Sequence, residues 1–281
     1  MICHGSVPVD TSSDAGLSGT VASMRSVARI NTTPVKGTSL HHPDRVELTP
    51  NGIPENRRFF LVDEDGSLFS APDLGPLVRI RADLAAVEGR LTLTFPDGAT
   101  VEGAGEAVGE ELVVDFYGRP VEAAIVEGPF SGALSAYAER PLRLVRSVRQ
   151  GDGSDVHHVS LMSLASVAAL AAGAGHDGEL DARRFRMDLE LDGCEPYEED
   201  MWDGRRVRLG SAVVRLHGQI PRCVLTTKDP VTGLKDFDTL REIARQRPRI
   251  PGDGGLPFGM YAEVEEPGPV AVGDEVEPLA D

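Results

Sequence analysis

Apolar and polar residues alternate in many short stretches of this chain, and residues typical of turns separate the stretches. A two-residue period predicts β-strands with one buried face. Strands are predicted at residues 27–33, 46–48, 57–62, 68–70, 78–82, 90–95, 112–116, 142–145, 186–192, 207–209, 212–216, 260–264 and 270–276. Asp97-Gly98 predicts a hairpin. Short strands at this spacing are typical of a barrel or a sandwich.

Few segments have a helical pattern. Residues 163–172 are rich in alanine and end at Gly173, and residues 237–247 are amphipathic. Shorter helical segments are predicted at 134–139 and 181–185. The sequence therefore predicts a mainly β (α+β) protein, built as two packed β-barrel-like domains with a few helices.

A polar, glycine-rich break at residues 150–154 predicts a domain boundary. We expect an N-terminal β-barrel domain over 23–148 and a second β-barrel domain over 149–281. Residues 1–22 are rich in Ser, Asp and Gly and contain no apolar core of a signal peptide, so they are predicted to be a disordered leader.

The charge balance narrows the range of partners. The 281 residues include 28 Lys and Arg against 45 Asp and Glu, a net charge of -17. Such an acidic surface repels nucleic acid and anionic membranes. The cysteines Cys3, Cys194 and Cys223 are far apart and show neither zinc-site nor disulfide spacing. This usage fits a reducing compartment, so we expect a cytoplasmic protein.

Cys223 is the leading candidate for chemistry. It follows Pro221, and an apolar, β-branched run comes after it, so we expect the cysteine where a loop enters a strand. The neighbouring Arg222 favours the thiolate form, which attacks electrophiles or binds metal. The alternative is a small buried hydrophobe, since free cysteine is often buried. The local sequence leaves both open.

Basic residues cluster near predicted strand ends. They are Lys36, Arg57, Arg58, Arg184, Arg186 and Arg222. On so acidic a chain, such a cluster predicts a pocket for an anion such as a phosphate. Each arginine taken alone is more typical of a solvated surface position.

Several ordered motifs carry a resemblance to a known family. They are Thr33–Lys36, Arg58–Asp63, Ser163–Ser166, Arg184–Arg186, Tyr197–Trp202, Arg222–Gly233 and Pro257–Tyr261, and 222–233 is the most specific. Over roughly residues 26–277 the chain resembles the MOSC family, named for the C-terminal domain of molybdenum-cofactor sulfurase, together with the N-terminal MOSC β-barrel domain that often precedes it. It is most similar to the amidoxime-reducing component and its bacterial relatives.

The resemblance implies a molybdenum cofactor (molybdopterin) between the two domains, with Cys223 as the metal ligand. It implies cofactor-binding roles for Lys36, Arg58, Arg184, Arg186, Arg222 and Tyr261. The implied reaction is the two-electron reduction of a small N-hydroxylated or N-oxide compound. Electrons would come from a separate electron-transfer partner such as a ferredoxin or a flavin reductase, because no cysteine cluster here can hold an iron–sulfur centre.

The chain departs from the family pattern at Gly37, Asp73, Asp188 and Pro221. A carboxylate about 4 Å from a phosphate charge costs roughly 4 kcal/mol at an effective dielectric of 20. Arg186, two residues along the same predicted strand, points to the same face and would neutralise Asp188. Without such a partner Asp188 argues against the usual cofactor pose, and a third alternative is a positive catalytic role as a general base. His157, before the predicted helix, is read either as a proton donor to substrate or as a polar loop residue.

Two other functions remain open at this point. A metal-free sulfur carrier or transferase would use a persulfide on Cys223. A non-catalytic module that binds or stores the cofactor would use the same basic residues.

Overall fold

The computed structural model describes residue 1 and residues 24–85, 87–252 and 254–280. Cys3 and the predicted leader, apart from Met1, lie outside the described residues. The strands are β1 Ser26–Ile30, β2 Arg45–Leu48, β3 Phe59–Val62, β4 Leu68–Phe69, β5 Arg81–Ala85, β6 Arg90–Thr94, β7 Thr100–Ala104, β8 Ala107–Phe116, β9 Arg119–Val126, β10 Arg143–Ser147, β11 Val159–Ser163, β12 Leu189–Asp192, β13 Arg206–Leu209, β14 Ala212–Pro221, β15 Pro257–Glu266, β16 Gly268–Ala271 and β17 Val276–Pro278. The helices are α1 Phe130–Ala138, α2 Leu164–Gly173 and α3 Thr239–Gln246. The predicted mainly β fold is confirmed.

A seven-stranded sheet forms a nearly closed barrel. Its strand order is β1-β12-β11-β15-β14-β13-β17. The two edge strands approach each other, because Ser26 bridges Glu275 and the Val276 N–H donates to the Arg25 carbonyl at 2.9 Å. Inward-facing apolar side chains such as Leu161 and Leu189 fill the barrel. Their removal from water stabilises the sheet by about 2 kcal/mol per large side chain.

The other large sheet has five strands in the order β4-β3-β10-β9-β8, and β5, β6 and β7 form a separate three-stranded sheet. The Asp97-Gly98 turn joins β6 to β7, as predicted. All four residues of β3 are buried, because alternate side chains enter two cores. Phe59 packs with Leu77 and Phe130, whereas Phe60 packs on the opposite face against Phe116.

We call residues 23–148 the first half and residues 149–281 the second half. The first half contributes two strands to the second half. β1 of the first half pairs antiparallel with β12 in the barrel, and β2 pairs antiparallel with β16. The barrel of the second half is therefore completed by a strand from the first half.

The sequence pattern missed three strands. β11 is buried at every position, so it shows no alternation, and β7 and β9 contain polar residues on exposed faces. The predicted strand at 186–192 begins only at Leu189, because Arg186 has a left-handed φ of 53°. The strand predicted after Cys223 is wrong. A short 3-10 helix, Val224–Thr227, follows instead, and β14 ends before the cysteine.

Helices α2 and α3 cover one side of the barrel. The hydroxyl of Ser163 caps α2 by accepting a hydrogen bond from the Ala165 N–H at 3.1 Å. Leu170 of α2 and Ile243 of α3 pack with Phe185 and Phe258 in a shared apolar cluster. No helix in the described ranges is long and apolar enough to cross a membrane.

The segment after Cys223 contacts the first half at very short range. The Lys228 ammonium donates to the carbonyls of Ala71 and Pro72 at 2.9 and 2.8 Å. The backbones of Gly75 and Gly233 also touch, so that a Cβ on Gly75 would lie 1.9 Å from the Gly233 carbonyl oxygen. Only glycine allows this approach.

We expect Gly75→Ala to lower the free energy of unfolding by about 1–3 kcal/mol, because the added methyl group must separate the two backbones. Gly132→Ala is the control, since a Cβ at that position in α1 meets nothing within 4 Å. The control should leave stability unchanged or raise it by about 0.5–1 kcal/mol. Urea unfolding measures both, and equal midpoints for Gly75→Ala and wild type would contradict the close contact.

Candidate functional site

One cavity receives residues from both halves. The first half contributes Lys36, Gly37, Arg57, Ser70, Pro72 and Tyr117. The second half contributes Asp155, His157, Ser160, Arg184, Phe185, Arg186, Met187, Ile220, Pro221, Arg222, Cys223, Leu225, Thr226 and Tyr261. The structure thus brings together most of the residues that the sequence singled out, although their positions span the chain from 36 to 261. Arg58 and Asp188 are not part of the lining.

Cys223 lies at a change of direction in the backbone. β14 ends at Pro221, and Cys223 is the extended residue before the 3-10 helix. The Cys223 carbonyl accepts hydrogen bonds from the Thr226 hydroxyl at 3.0 Å and the Thr226 N–H at 3.2 Å. Its side chain is exposed to the cavity. The backbone is therefore held in place while the sulfur stays accessible, which argues against a packing role.

The environment of Cys194 differs from that of Cys223. It is buried beside the barrel core, and its thiol points back towards the Asp192 carbonyl at 3.9 Å. Burial and the nearby Glu198 raise the pKa of Cys194 to about 12. A thiol held neutral in this way is a poor nucleophile and a poor metal ligand.

Two arginines bring positive charge to the cavity without a carboxylate partner among the described residues. Arg222 donates to the carbonyls of Phe258 at 2.7 Å and Phe185 at 3.3 Å, and Arg186 donates to the Thr38 carbonyl at 2.6 Å. Burial lowers the pKa of Arg222 to about 10. Burial, together with the charge of Arg57, lowers the pKa of Arg186 to about 9. Both effects show that an anion would be stabilised here.

Lys36 does have a partner, which the sequence interpretation missed. Its ammonium donates to Asp155 at 2.5 Å and to the Gly153 carbonyl at 3.2 Å. Burial would raise the pKa of Asp155, but Lys36 and Arg57 outweigh it and bring that pKa down to about 2. Asp155 therefore stays ionised and is the one carboxylate in the cavity lining. Burial also lowers the pKa of Lys36.

Arg184 is compensated by a second ion pair. Its guanidinium binds both oxygens of Asp236, at 3.0 and 2.8 Å, and donates to the Thr226 carbonyl at 3.2 Å. The side chain lies on the cavity wall but is only 2% exposed. Arg184 thus joins the wall to the 3-10 helix after Cys223.

Asp188, predicted to be catalytic, lies behind the wall and is 1% exposed. Its carboxylate accepts hydrogen bonds from the Asn56 amide at 2.9 Å and from the Ser160 N–H and hydroxyl at 2.9 and 2.8 Å. It also pairs with Arg57 at 3.2 Å. A carboxylate with so many donors is typical of a structural group. Its arginine partner is Arg57, whereas the sequence interpretation considered Arg186.

Arg58, predicted to bind a cofactor, points away from the cavity. Its guanidinium donates to the Val148 carbonyl at 3.0 Å. The neighbouring Arg57 takes the cavity position and donates to the Arg186 carbonyl at 2.7 Å. Arg57 has a left-handed φ of 52° just before β3 begins at Phe59, and this turn directs its side chain to the cavity lining while Arg58 stays outside it.

Tyr261 and His157 lie next to each other at the cavity, with ring centroids 5.4 Å apart. Burial and the charge of Asp155 raise the pKa of Tyr261 to about 12. Its hydroxyl therefore keeps its proton at neutral pH and can donate a hydrogen bond.

A second, wider pocket opens from the same place. It shares Ser70, Pro72, Tyr117, Asp155, Pro221, Cys223 and Tyr261 with the first cavity. Its outer wall includes Asp65, Asp73 and Asp115 from the first half. Cys223 thus separates a basic inner cavity from an acidic outer pocket.

Comparisons with known proteins identify the family of the chain. A family model for the MOSC domain matches residues 146–277, and a model for the MOSC N-terminal beta barrel domain matches residues 24–118. Mitochondrial amidoxime reducing component 2 of Rattus norvegicus is 37% identical over 103 residues, which are 34% of this chain and 30% of that protein.

Molybdenum cofactor sulfurase of Anopheles gambiae is 30% identical over 246 residues, which are 76% of this chain and 31% of that protein. The chain thus spans about 30% of the length of these curated relatives. Among solved structures, the YUAD protein from Bacillus subtilis aligns over 90% of this chain and 95% of that chain, with 13% identity and a TM-score of 0.41. That similarity is too distant to bear on the site.

The two family models follow each other along the chain and together match most of it. The chain therefore belongs to the MOSC family and carries a MOSC N-terminal β-barrel domain followed by a MOSC domain.

Proposed function

We propose that this protein is a molybdenum-cofactor-dependent oxidoreductase that reduces N-hydroxylated or N-oxide compounds, with the cofactor between the two halves and Cys223 as the metal ligand. The observation that carries the proposal is the accessible Cys223 sulfur in the same cavity as the guanidinium groups of Arg186 and Arg222, which have no carboxylate partner in the part of the chain that the structure describes. The named activities of the rat and mosquito relatives belong to the same area of chemistry.

The residues present fit such a cofactor. A pterin phosphate supplies the anion that Arg186 and Arg222 require, and arginine forks suit phosphate oxygens. A thiolate is a soft ligand. Among the described residues, no group of three or more His, Cys, Asp and Glu can hold a metal ion. A metal in this cavity therefore has to arrive with its own additional ligands, as in a pterin complex.

Gly37 also fits the space. Its φ is 92°, and a Cβ there would lie 2.9 Å from the Ser70 hydroxyl. Because Gly37 has no side chain, the loop after Lys36 can pack against the segment that borders the outer pocket. The departure from the family pattern at this position is therefore compatible with the packing of the loop. Ser70 itself lines both the inner cavity and the outer pocket.

When bound, the cofactor would supply two-electron chemistry. Arg186, Arg222 and Lys36 would then hold the anionic part of the cofactor. Cys223 would hold the metal at the boundary between the inner cavity and the outer pocket. The outer pocket admits a small substrate to that boundary. Arg57 and Asp188 hold the wall in position.

Electrons would come from a separate partner, because the described cysteines are two unclustered residues, Cys194 and Cys223. A ferredoxin or a flavin reductase has the required chemistry. The partner would have to approach within electron-transfer distance of the mouth formed by the outer pocket.

A second candidate is sulfur transfer through a persulfide on Cys223. It is favoured by the similarity to molybdenum cofactor sulfurase, which extends over 76% of this chain. The accessible sulfur and the nearby positive charge suit this reaction as well.

We expect Cys223→Ser to abolish both the reduction of benzamidoxime by dye-supplied electrons and the retention of molybdenum, because a hydroxyl is a poor ligand for a soft metal. Stability should change by less than about 1 kcal/mol, since the side chain is exposed. Cys194→Ser is the matched control and should keep activity and metal. Molybdenum is measured by elemental analysis of protein made in a host that synthesises the cofactor.

The same experiment separates the two candidates. Wild type that holds no molybdenum, but carries sulfane sulfur on Cys223, would favour the transferase. Full turnover by Cys223→Ser would contradict both candidates.

We expect Arg186→Gln to lower cofactor retention at least 10-fold, because one uncompensated positive charge near the anion is lost. Arg208→Gln is the control, since Arg208 lies on the surface, 3.7 Å from Glu277. The ratio of pterin to protein after gel filtration is the measurement. Equal ratios for Arg186→Gln and Arg208→Gln would show that Arg186 does not contact the anion.

We expect Asp188→Asn to lower the free energy of unfolding by about 3 kcal/mol, because an amide cannot accept from all the donors that surround this carboxylate. Loss of cofactor should follow from the displaced Arg57. Thermal unfolding and activity are measured together. Lost activity with unchanged stability would instead identify Asp188 as a general base, which is one of the alternatives that the sequence left open.

A further inference from the structure

Two histidines and one glutamate form a cluster at the edge of the cavity. The Nδ1 atom of His157 lies 2.9 Å from one carboxylate oxygen of Glu263, and the Nε2 atom of His217 lies 3.2 Å from the other. The two imidazole rings are stacked, with centroids 5.1 Å apart and an interplanar angle of 5°. One carboxylate thus bridges a stacked pair of histidines.

The fold determines this geometry. His217 projects from β14, and Glu263 from the neighbouring strand β15. Tyr261 is two residues before Glu263, so both side chains are on the same face of β15. His157 lies in the loop before β11, which also pairs with β15. The solvent exposure of the side chains decreases towards the cavity, from 53% for Glu263 to 36% for His217 and 22% for His157.

One hydrogen bond defines the tautomer of His157. An ionised carboxylate only accepts, so the Nδ1–H of His157 must donate to Glu263, whereas His217 lies close to the other carboxylate oxygen. Among the described residues, Nε2 of His157 has no hydrogen-bond partner, and its ring lines the cavity. Glu263 therefore holds His157 by one nitrogen and leaves the other available to a ligand.

Three other titratable groups in the lining are poorly suited to give up a proton near neutral pH. The pKa of Tyr261 is raised to about 12, that of Tyr117 is also raised by burial, and that of Asp155 is lowered to about 2. The charged groups around His157 are Asp155 on its own loop, Glu263 on β15, and Arg57 and Arg222 in the cavity lining. His157 is the one imidazole in that lining.

We propose that His157 is the catalytic acid of this site, and that Glu263, braced by His217, is its positioning residue. This inference rests on the proposed reductase function. Reduction of an N-hydroxylated substrate breaks one N–O bond, consumes two electrons from the reduced partner protein and two protons, and releases water. Nε2–H of His157 gives a proton to the departing hydroxyl oxygen. Water then reprotonates Nε2 for the second transfer.

The activity test uses the cofactor-loaded protein with benzamidoxime and dye-supplied electrons. We expect His157→Gln to lower kcat about 100-fold with KM changed less than about 2-fold, since general acid catalysis contributes this much. Wild-type kcat should fall with rising pH as the imidazolium loses its proton, and His157→Gln should lose this dependence. Added imidazole should restore part of the lost rate.

Glu263→Gln should lower kcat about 10-fold and change the pH profile, because the amide keeps a hydrogen bond but loses the charge that stabilises the imidazolium. His176→Gln is the control, since His176 is exposed and packs against Phe237, outside the cavity lining. The control should match wild type. An active wild type whose His157→Gln variant keeps its rate and pH profile would overturn the proposal, and the reductase function would stand.

A second readout needs no activity. Nitrogen-15 NMR of histidine side chains in the cofactor-free protein should show neutral His157 as the Nδ1–H tautomer. Glu263→Gln should reduce this preference. Absence of molybdenum and of reduction would reject the proposed function, whereas the opposite tautomer of His157 would reject the positioning role of Glu263.

Discussion

The buried carboxylate of Asp188 is the interaction on which the site most depends. It binds Asn56 and Arg57 from the first half and Ser160 from the second, and its own backbone carbonyl accepts from the Asn31 N–H at 2.8 Å. A buried charge is tolerated only with such partners, and removing them costs several kcal/mol. The same contacts that satisfy the charge therefore fix the relative position of the two halves and of the cavity between them.

Charge explains how the cavity can bind an anion on an acidic protein. The net charge is -17, yet the inner lining holds Lys36, Arg57, Arg184, Arg186 and Arg222 against one carboxylate. Asp236 and Asp155 each neutralise one of these cations, and Asp188 pairs with Arg57 from behind the wall. The remaining two guanidinium groups act at short range, where the distant acidic surface is screened by salt. The local arrangement of cations in the cavity thus outweighs the effect of the overall negative charge on an anion.

Features could be predicted from the sequence where the residues that define them are close together in the chain. Strand alternation gave the mainly β fold, and the motif around Cys223 selected the cysteine that the structure places at the cavity. β11 has no alternation because both of its faces are buried. Asp155, Glu263 and His217 come together from separate loops and strands, and no local pattern links them. Arg58 was chosen over Arg57 because a motif cannot tell which of two neighbours faces inward.

The contribution of β1 and β2 to the second half has a consequence for how the protein can be divided. If the chain were cut near residue 149, the second half would lose β1 and β2, and strands β12 and β16 would become unpaired edges. Exposed edges recruit other chains and promote aggregation. The two units follow each other in the sequence, but the second depends on β1 and β2 of the first to keep those edges covered.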